Sequence, residues 1–202
     1  MNIRSSSLGI LTLFATLCAY GQGISFLYDQ QSSTNEGYYG YGSGPTYQSM
    51  LPTTGQSFTP TLAGIDFIRL ELNDASASGT LSSTWFLNLH SDSIHGPVLG
   101  TTATVVLPGG FTGAADFYFP STIPLTPGTS YWFDLNSPDG GNWHVIAGVF
   151  NYPGGYGWAQ DTAYLFSDYW FREGLVVPEP SSVSLLLLGG AAFISLRRPN
   201  RQ

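Results

Sequence analysis

Two imidazoles and a carboxylate lie within six residues in His90-Ser91-Asp92-Ser93-Ile94-His95, a donor set that could ligate a transition metal if one loop gathered it. The Gly96-Pro97 that follows makes this segment a strand end running into a turn, where exposed polar residues are the ordinary content. Solvated turn residues are therefore the expectation, with no metal site. Asp134, Asp139, Asp161 and Asp168 could serve paired-acid hydrolysis, but that chemistry needs two acids held across a sugar, and these four are candidates by composition alone. Neither Gly-x-Ser-x-Gly nor His-Glu-x-x-His occurs. No catalytic residue is assigned and no enzyme activity is expected. Flat aromatic faces stack on sugar rings, and Trp143, Tyr152, Tyr156 and Trp158 lie on or beside the loop Pro153-Gly154-Gly155, which makes them the candidate sugar-binding residues. The competing reading places Trp143 in the core and the loop aromatics over a sheet edge. A structural Ca²⁺ could be held by Asp139 with Asn142, or by Asp161 with Asp168. Neither pair has the ordered Asp-x-Asp spacing of a calcium loop, so no cofactor is assigned.

The elements that would carry these residues are set by composition. The 202 residues include 13 Asp or Glu and 6 Arg, with no Lys. Four of the arginines, Arg4, Arg197, Arg198 and Arg201, lie in the two ends, so residues 22–177 hold 12 acidic groups against Arg69 and Arg172, a net charge of −10. A body so acidic repels phosphate backbones, which excludes nucleic acid as a partner. The 25 Gly and 13 Pro break the chain too often for long helices, while 13 Phe, 12 Tyr and 5 Trp favour strands.

Alternation locates those strands. Ile68, Leu70 and Leu72 alternate with Arg69 and Glu71, Trp85, Leu87 and Leu89 with Phe86 and Asn88, and Tyr131, Phe133 and Leu135 with Trp132 and Asp134. Ile65 and Phe67 have the opposite parity, which predicts either a strand start buried on both faces or a bulge near Phe67-Ile68. Further strands are expected over 102–107, 116–119, 143–150, 163–166 and 169–177, separated by Pro-Gly and Gly-Gly turns. Eight to ten short strands and no helical run predict an all-β fold, a single antiparallel β-sandwich of jelly-roll type over residues 57–177. Residues 22–56, rich in Gly, Ser and Tyr, read as a lead-in that is mostly loop.

Both ends look like addresses. A basic start, the apolar run 8–19 and the small residues Ala19 and Gly21 make residues 1–21 a secretory signal peptide, with cleavage expected before Gln22 and after Gly23 as the runner-up. Cys18, the only cysteine, lies inside that run, so the mature chain is expected to carry no disulfide. At the other end, Pro178-Glu179-Pro180 precedes the apolar stretch 183–196 and the arginine cluster. Fourteen residues of helix at ~1.5 Å each fall short of a ~30 Å hydrocarbon core, enough to halt transfer and too short for a lasting anchor. The arginines favour the cytoplasmic side and leave the body outside.

This C-terminal arrangement resembles exported bacterial proteins that end in the PEP-CTERM sorting signal. The resemblance covers residues 178–202 and implies recognition of Pro178, Glu179 and Pro180 by an exosortase, a membrane-embedded cysteine transpeptidase, after export through the Sec translocon. It further implies a precursor tethered transiently in the inner membrane by a transmembrane helix over 183–196, then a mature form at the cell surface or in the extracellular biofilm matrix. The body is similar to secreted β-sandwich domains of unassigned function, through the strand from Trp85 to His90 with Ser91-Asp92, the turn Gly96-Pro97, the later Pro127-Gly128-Thr129-Ser130-Tyr131-Trp132 and the aromatic Tyr169-Trp170-Phe171. The expectation is a structural or adhesive surface protein without catalytic activity; the alternative is a carbohydrate-binding module recognising exopolysaccharide.

Overall fold

A computed structural model describes residues 24–36, 46–49, 54–74, 81–139 and 143–178. The expected signal peptide, Asn142, Glu179, Pro180 and the expected transmembrane helix lie outside these residues. Phe26–Leu175 form one compact unit; the second unit consists of the two chain ends, of which only residues 24, 25 and 176–178 are among those described. Among the described residues there is no helix long and apolar enough to cross a membrane.

The chain is all-β, built from two antiparallel sheets whose inward side chains share one core, an arrangement consistent with a β-sandwich. The first sheet contains β1 (Ile24–Gln31), β2 (Thr46–Ser49), β4 (Gly64–Asp74), β8 (Thr112–Pro124), β10 (Trp143–Gly148), β13 (Asp168–Tyr169) and β14 (Phe171–Pro178). The second contains β3 (Gly55–Phe58), β5 (Ser83–Ser91), β6 (Val98–Thr101), β7 (Val105–Leu107), β9 (Tyr131–Asn136), β11 (Gly157–Ala159) and β12 (Thr162–Tyr164). Read in chain order, the strands change sheet after β2, β3, β4, β7, β8, β9, β10 and β12. Successive segments therefore wrap the core rather than building one sheet at a time.

β4 is the axis of the first sheet. One of its edges pairs with β8 along nearly the whole strand, while the other is divided between β14 at residues 67–70 and β10 at residues 72–74. β14 is itself flanked by β1 on its far side. The register slips between Ile65 and Phe67, where two steps along β4 correspond to five along β8, and Ile65 and Ile68 both enter the core. Phe67 is fully buried as well, but against Phe26, Tyr28 and Tyr118 on the outer face. The irregularity and the double burial read from the parity of Ile65 and Phe67 thus coexist, with the register shift falling between Ile65 and Phe67 and its extra residues on β8.

That outer face also holds the body's two cations. Arg69 and Arg172 are directly opposed on β4 and β14, a like-charge pairing that would be destabilising without compensation. Asp116 on β8 receives a two-pronged hydrogen bond from Arg69, at 2.5 and 2.9 Å. Glu36 accepts from both guanidinium groups, at 2.7 Å from Arg69 and 3.3 Å from Arg172. The guanidinium of Arg69 stacks 5.0 Å over Phe26, and that of Arg172 lies 5.2 Å from Tyr28 and 5.0 Å from Trp170. Residues 24–36, expected to be mostly loop, are consequently an integral strand plus a brace: Trp170 donates to the Asn35 carbonyl and Arg172 to that of Ser33.

Candidate functional site

Each acid that could have taken part in hydrolysis is committed to a different partner. Asp134 accepts from His90, Asp139 from the Thr84 backbone amide, Asp161 from His95, and Asp168 from Gln56 and the Tyr152 backbone amide. Asp161 and Asp168, paired in the calcium reading, have different settings: the first is exposed at a turn, whereas the second is buried and its carboxyl pushed up by desolvation. Among the described residues no group of three or more His, Cys, Asp or Glu side chains could hold a metal ion.

His90 differs from the exposed turn residue expected of it. It sits at the end of β5 with 8% of its side chain exposed, because it faces Trp132 across the β5–β9 ladder and is roofed by the turn that follows. Its Nδ1 lies 2.9 Å from the Gly96 carbonyl and its Nε2 3.0 Å from an Asp134 carboxylate oxygen. Both neighbours are acceptors, so the doubly protonated ring satisfies the geometry best. The Asp134 hydrogen bond accordingly raises the His90 pKa above the ordinary 6.5 against the opposing pull of burial. Such a raised value adds stability that is complete below pH 6.5 and disappears as the pH climbs through the folded-state value. Substitution His90→Gln is expected to destabilise by about 2 kcal/mol at pH 5 and by less at pH 8, as read from urea unfolding midpoints at the two pH values. An equal loss at both would show that His90 is not charged in the fold.

The four aromatics proposed for sugar stacking separate into two pairs. Trp143 is 2% exposed, its ring centroid 5.5 Å from that of Trp85 and its indole nitrogen bonded to Ser83. Tyr152 is 8% exposed and stands edge-on to Phe171 at 5.1 Å, its hydroxyl bonded to the Thr59 amide and the Gln30 side chain. Alternation from β10 points Trp143 inward, and neither ring offers a free face. Tyr156 and Trp158 are half-buried with centroids 6.2 Å apart, on the outward side of β11. Gly155 lets their loop close on the second sheet, since a Cβ there would lie 2.0 Å from the Ser57 carbonyl oxygen.

Sequence reasoning did not single out the most exposed aromatic among the described residues. Phe166 is 87% exposed, next to Leu165 at 66%, and Val149 nearby is 55% exposed. Together with Asn151, Tyr152, Gly155 and Asp168, these three line a recess of about 100 Å³ between the β10–β11 and β12–β13 connections. The signal was present, since two apolar residues stand in a tight turn closed by the Ser167 amide on the Tyr164 carbonyl, where polar residues or glycine are usual. Strand periodicity concealed it, because 163–166 also read as a strand. No family model matches the chain, and no curated protein matches it.

Proposed function

We propose that this is an exported cell-surface or extracellular-matrix protein, structural or adhesive and without catalytic activity, whose jelly-roll sandwich is the payload of a C-terminal sorting signal. The observation that carries the reading is the order of the C-terminal segments: the described sandwich strands, through β14, precede Glu179-Pro180 of the Pro-Glu-Pro strip, the apolar stretch 183–196 and the arginine cluster. A processing enzyme acting on Glu179 and Pro180 would cut C-terminal to every described strand, so that the described sheets stay in the product. At the other end, the described strands begin at Ile24, C-terminal to the expected signal cleavage before Gln22. The crossings between sheets after β2, β3, β4, β7, β8, β9, β10 and β12 support the jelly-roll assignment. Under this proposal the exosortase and the Sec translocon are partners of the precursor only, and the apolar segment 183–196 is its temporary tether.

Intact-mass spectrometry of the protein from its native cell tests the reading. The expected mature species lacks residues 1–21 and everything beyond the Pro-Glu-Pro strip; a mature mass that includes residues 183–202 would refute it. The variant Glu179→Ala is expected to fold normally and to accumulate as precursor in the inner-membrane fraction, by at least severalfold on an immunoblot. Unchanged release would mean that Glu179 is not part of a recognised signal.

The second reading, exopolysaccharide binding, is favoured by Tyr156 and Trp158, which keep partly exposed rings on one outer surface.

A further inference from the structure

The turn at residues 164–167 breaks a local rule without a packing reason. Tight turns place their two central side chains in water and so favour Gly, Asn, Asp or Pro. Here those positions hold Leu165 and Phe166, 66% and 87% exposed, and Phe166 makes no ring contact with another aromatic among the described residues. Burial of these side chains cannot be what keeps them, and departures of this kind concentrate at sites of function.

What lies beside the turn narrows the ligand. Leu165 and Phe166 separate two depressions, one of about 330 Å³ over residues 163–167 and the recess of about 100 Å³ behind them. The smaller is mixed in character: Val149, Leu165 and Phe166 give it apolar walls, while Asn151, Gly155 and Asp168 offer hydrogen-bonding groups. Asn151 is exposed and held at φ 55°, a left-handed backbone that asparagine tolerates and that often marks a site of function. A flat apolar ring face beside a few directed polar groups is the pattern that recognises a pyranose, whose C–H face stacks while its hydroxyls find partners. The recess lining holds no Arg, Lys or His to pair with an acidic sugar, and its one carboxyl, that of Asp168, is 5% exposed and already accepts from Gln56 and the Tyr152 amide. A body charge of −10 repels polyanions as well.

We propose that the Leu165-Phe166 turn and the recess behind it form a subsite for a neutral pyranose of a polysaccharide, with Phe166 as the stacking ring and Asn151 as the principal hydrogen-bonding side chain. This rests on the exopolysaccharide reading and moves its stacking contact from Tyr156 and Trp158 to Phe166.

Affinity gel electrophoresis of the protein purified from its cell tests this, using gels cast with neutral β-glucan, neutral mannan or alginate. The expected result is retardation by at least one neutral polymer and none by alginate. Phe166→Ala should then weaken binding about tenfold, and Trp158→Ala less than twofold. Phe166 is largely in solvent, so its removal should leave the thermal unfolding midpoint unchanged. If binding is lost in Trp158→Ala and retained in Phe166→Ala, the exopolysaccharide reading stands and this subsite is overturned. If the unsubstituted protein binds none of the polymers, both fall. Retardation by alginate equal to that by the neutral polymers would overturn the assignment to neutral sugars.

Discussion

Replacing Phe171 with alanine is expected to destabilise the fold by about 3–5 kcal/mol, a large share of the roughly 5–15 kcal/mol that holds a domain together. Phe171 is fully buried at the start of β14 and lies where the two sheets meet. Its ring centroid is 5.7 Å from that of Phe133 and 6.5 Å from that of Phe58, both on the second sheet, and 5.1 Å from that of Tyr152. Truncation therefore removes contacts to both sheets at once and leaves a cavity walled by rigid rings that cannot collapse into it. Phe166→Ala, by contrast, removes a ring already in water. Urea unfolding of the two variants side by side should show a large fall in midpoint for the first and almost none for the second. A Phe171→Ala loss below 1 kcal/mol would mean that the sheets do not meet at this residue.

The second large effect runs in the stabilising direction. Glu173 is completely buried on β14, with one carboxyl oxygen accepting from the Gln30 amide and the other without a partner among the described residues. Desolvation, reinforced by the negative charge of Asp29, pushes its pKa up to about 8 from an ordinary 4.5. The native state then binds a proton that the unfolded state has released, so wild-type stability falls as the pH rises from about 4.5 to about 8 and is level above that. Ionising the buried group costs on the order of 4 kcal/mol, and an amide in its place avoids that cost but leaves its own buried donors unpaired. With the amide's unpaired donors costing about 2 kcal/mol at every pH, Glu173→Gln is thus expected to gain about 2 kcal/mol at pH 9 and to lose about 2 kcal/mol at pH 4, as followed by unfolding midpoints across the pH range. A gain of the same size at pH 4 would show that the carboxyl is not the titrating group.

Much of this fold was legible because its central strands obey a two-residue period. β4, β5 and β9 carry Ile68, Leu70 and Leu72, Trp85, Leu87 and Leu89, and Tyr131, Phe133 and Leu135 on the core side, as their alternation predicts. The strands missed were those whose buried residues are not aliphatic. β3 is Gly-Gln-Ser-Phe, yet it lies inside the second sheet between β9 and β11. Its Gln56 is fully buried because Asp168 and the Tyr169 amide satisfy its side chain from more than a hundred residues away. β1 was missed for a related reason. Phe26 and Tyr28 are half-buried against arginines and aromatics from other strands, and local sequence gives no notice of such partners. For the candidate site, the Pro153-Gly154-Gly155 loop was found from its turn residues, but deciding which neighbouring rings face outward needed strand parity across β10 and β11. Phe166 was hidden because a turn occupied by two apolar residues looks like a strand.

The position of β14 between β1 and β4 has a mechanical side. A tug applied beyond Pro178 would load a strand gripped along both flanks, so its ladder bonds must yield together in shear, whereas a rim strand peels open one bond at a time. A domain dangling by its tail from a wall or a slime would be harnessed at its sturdiest girder.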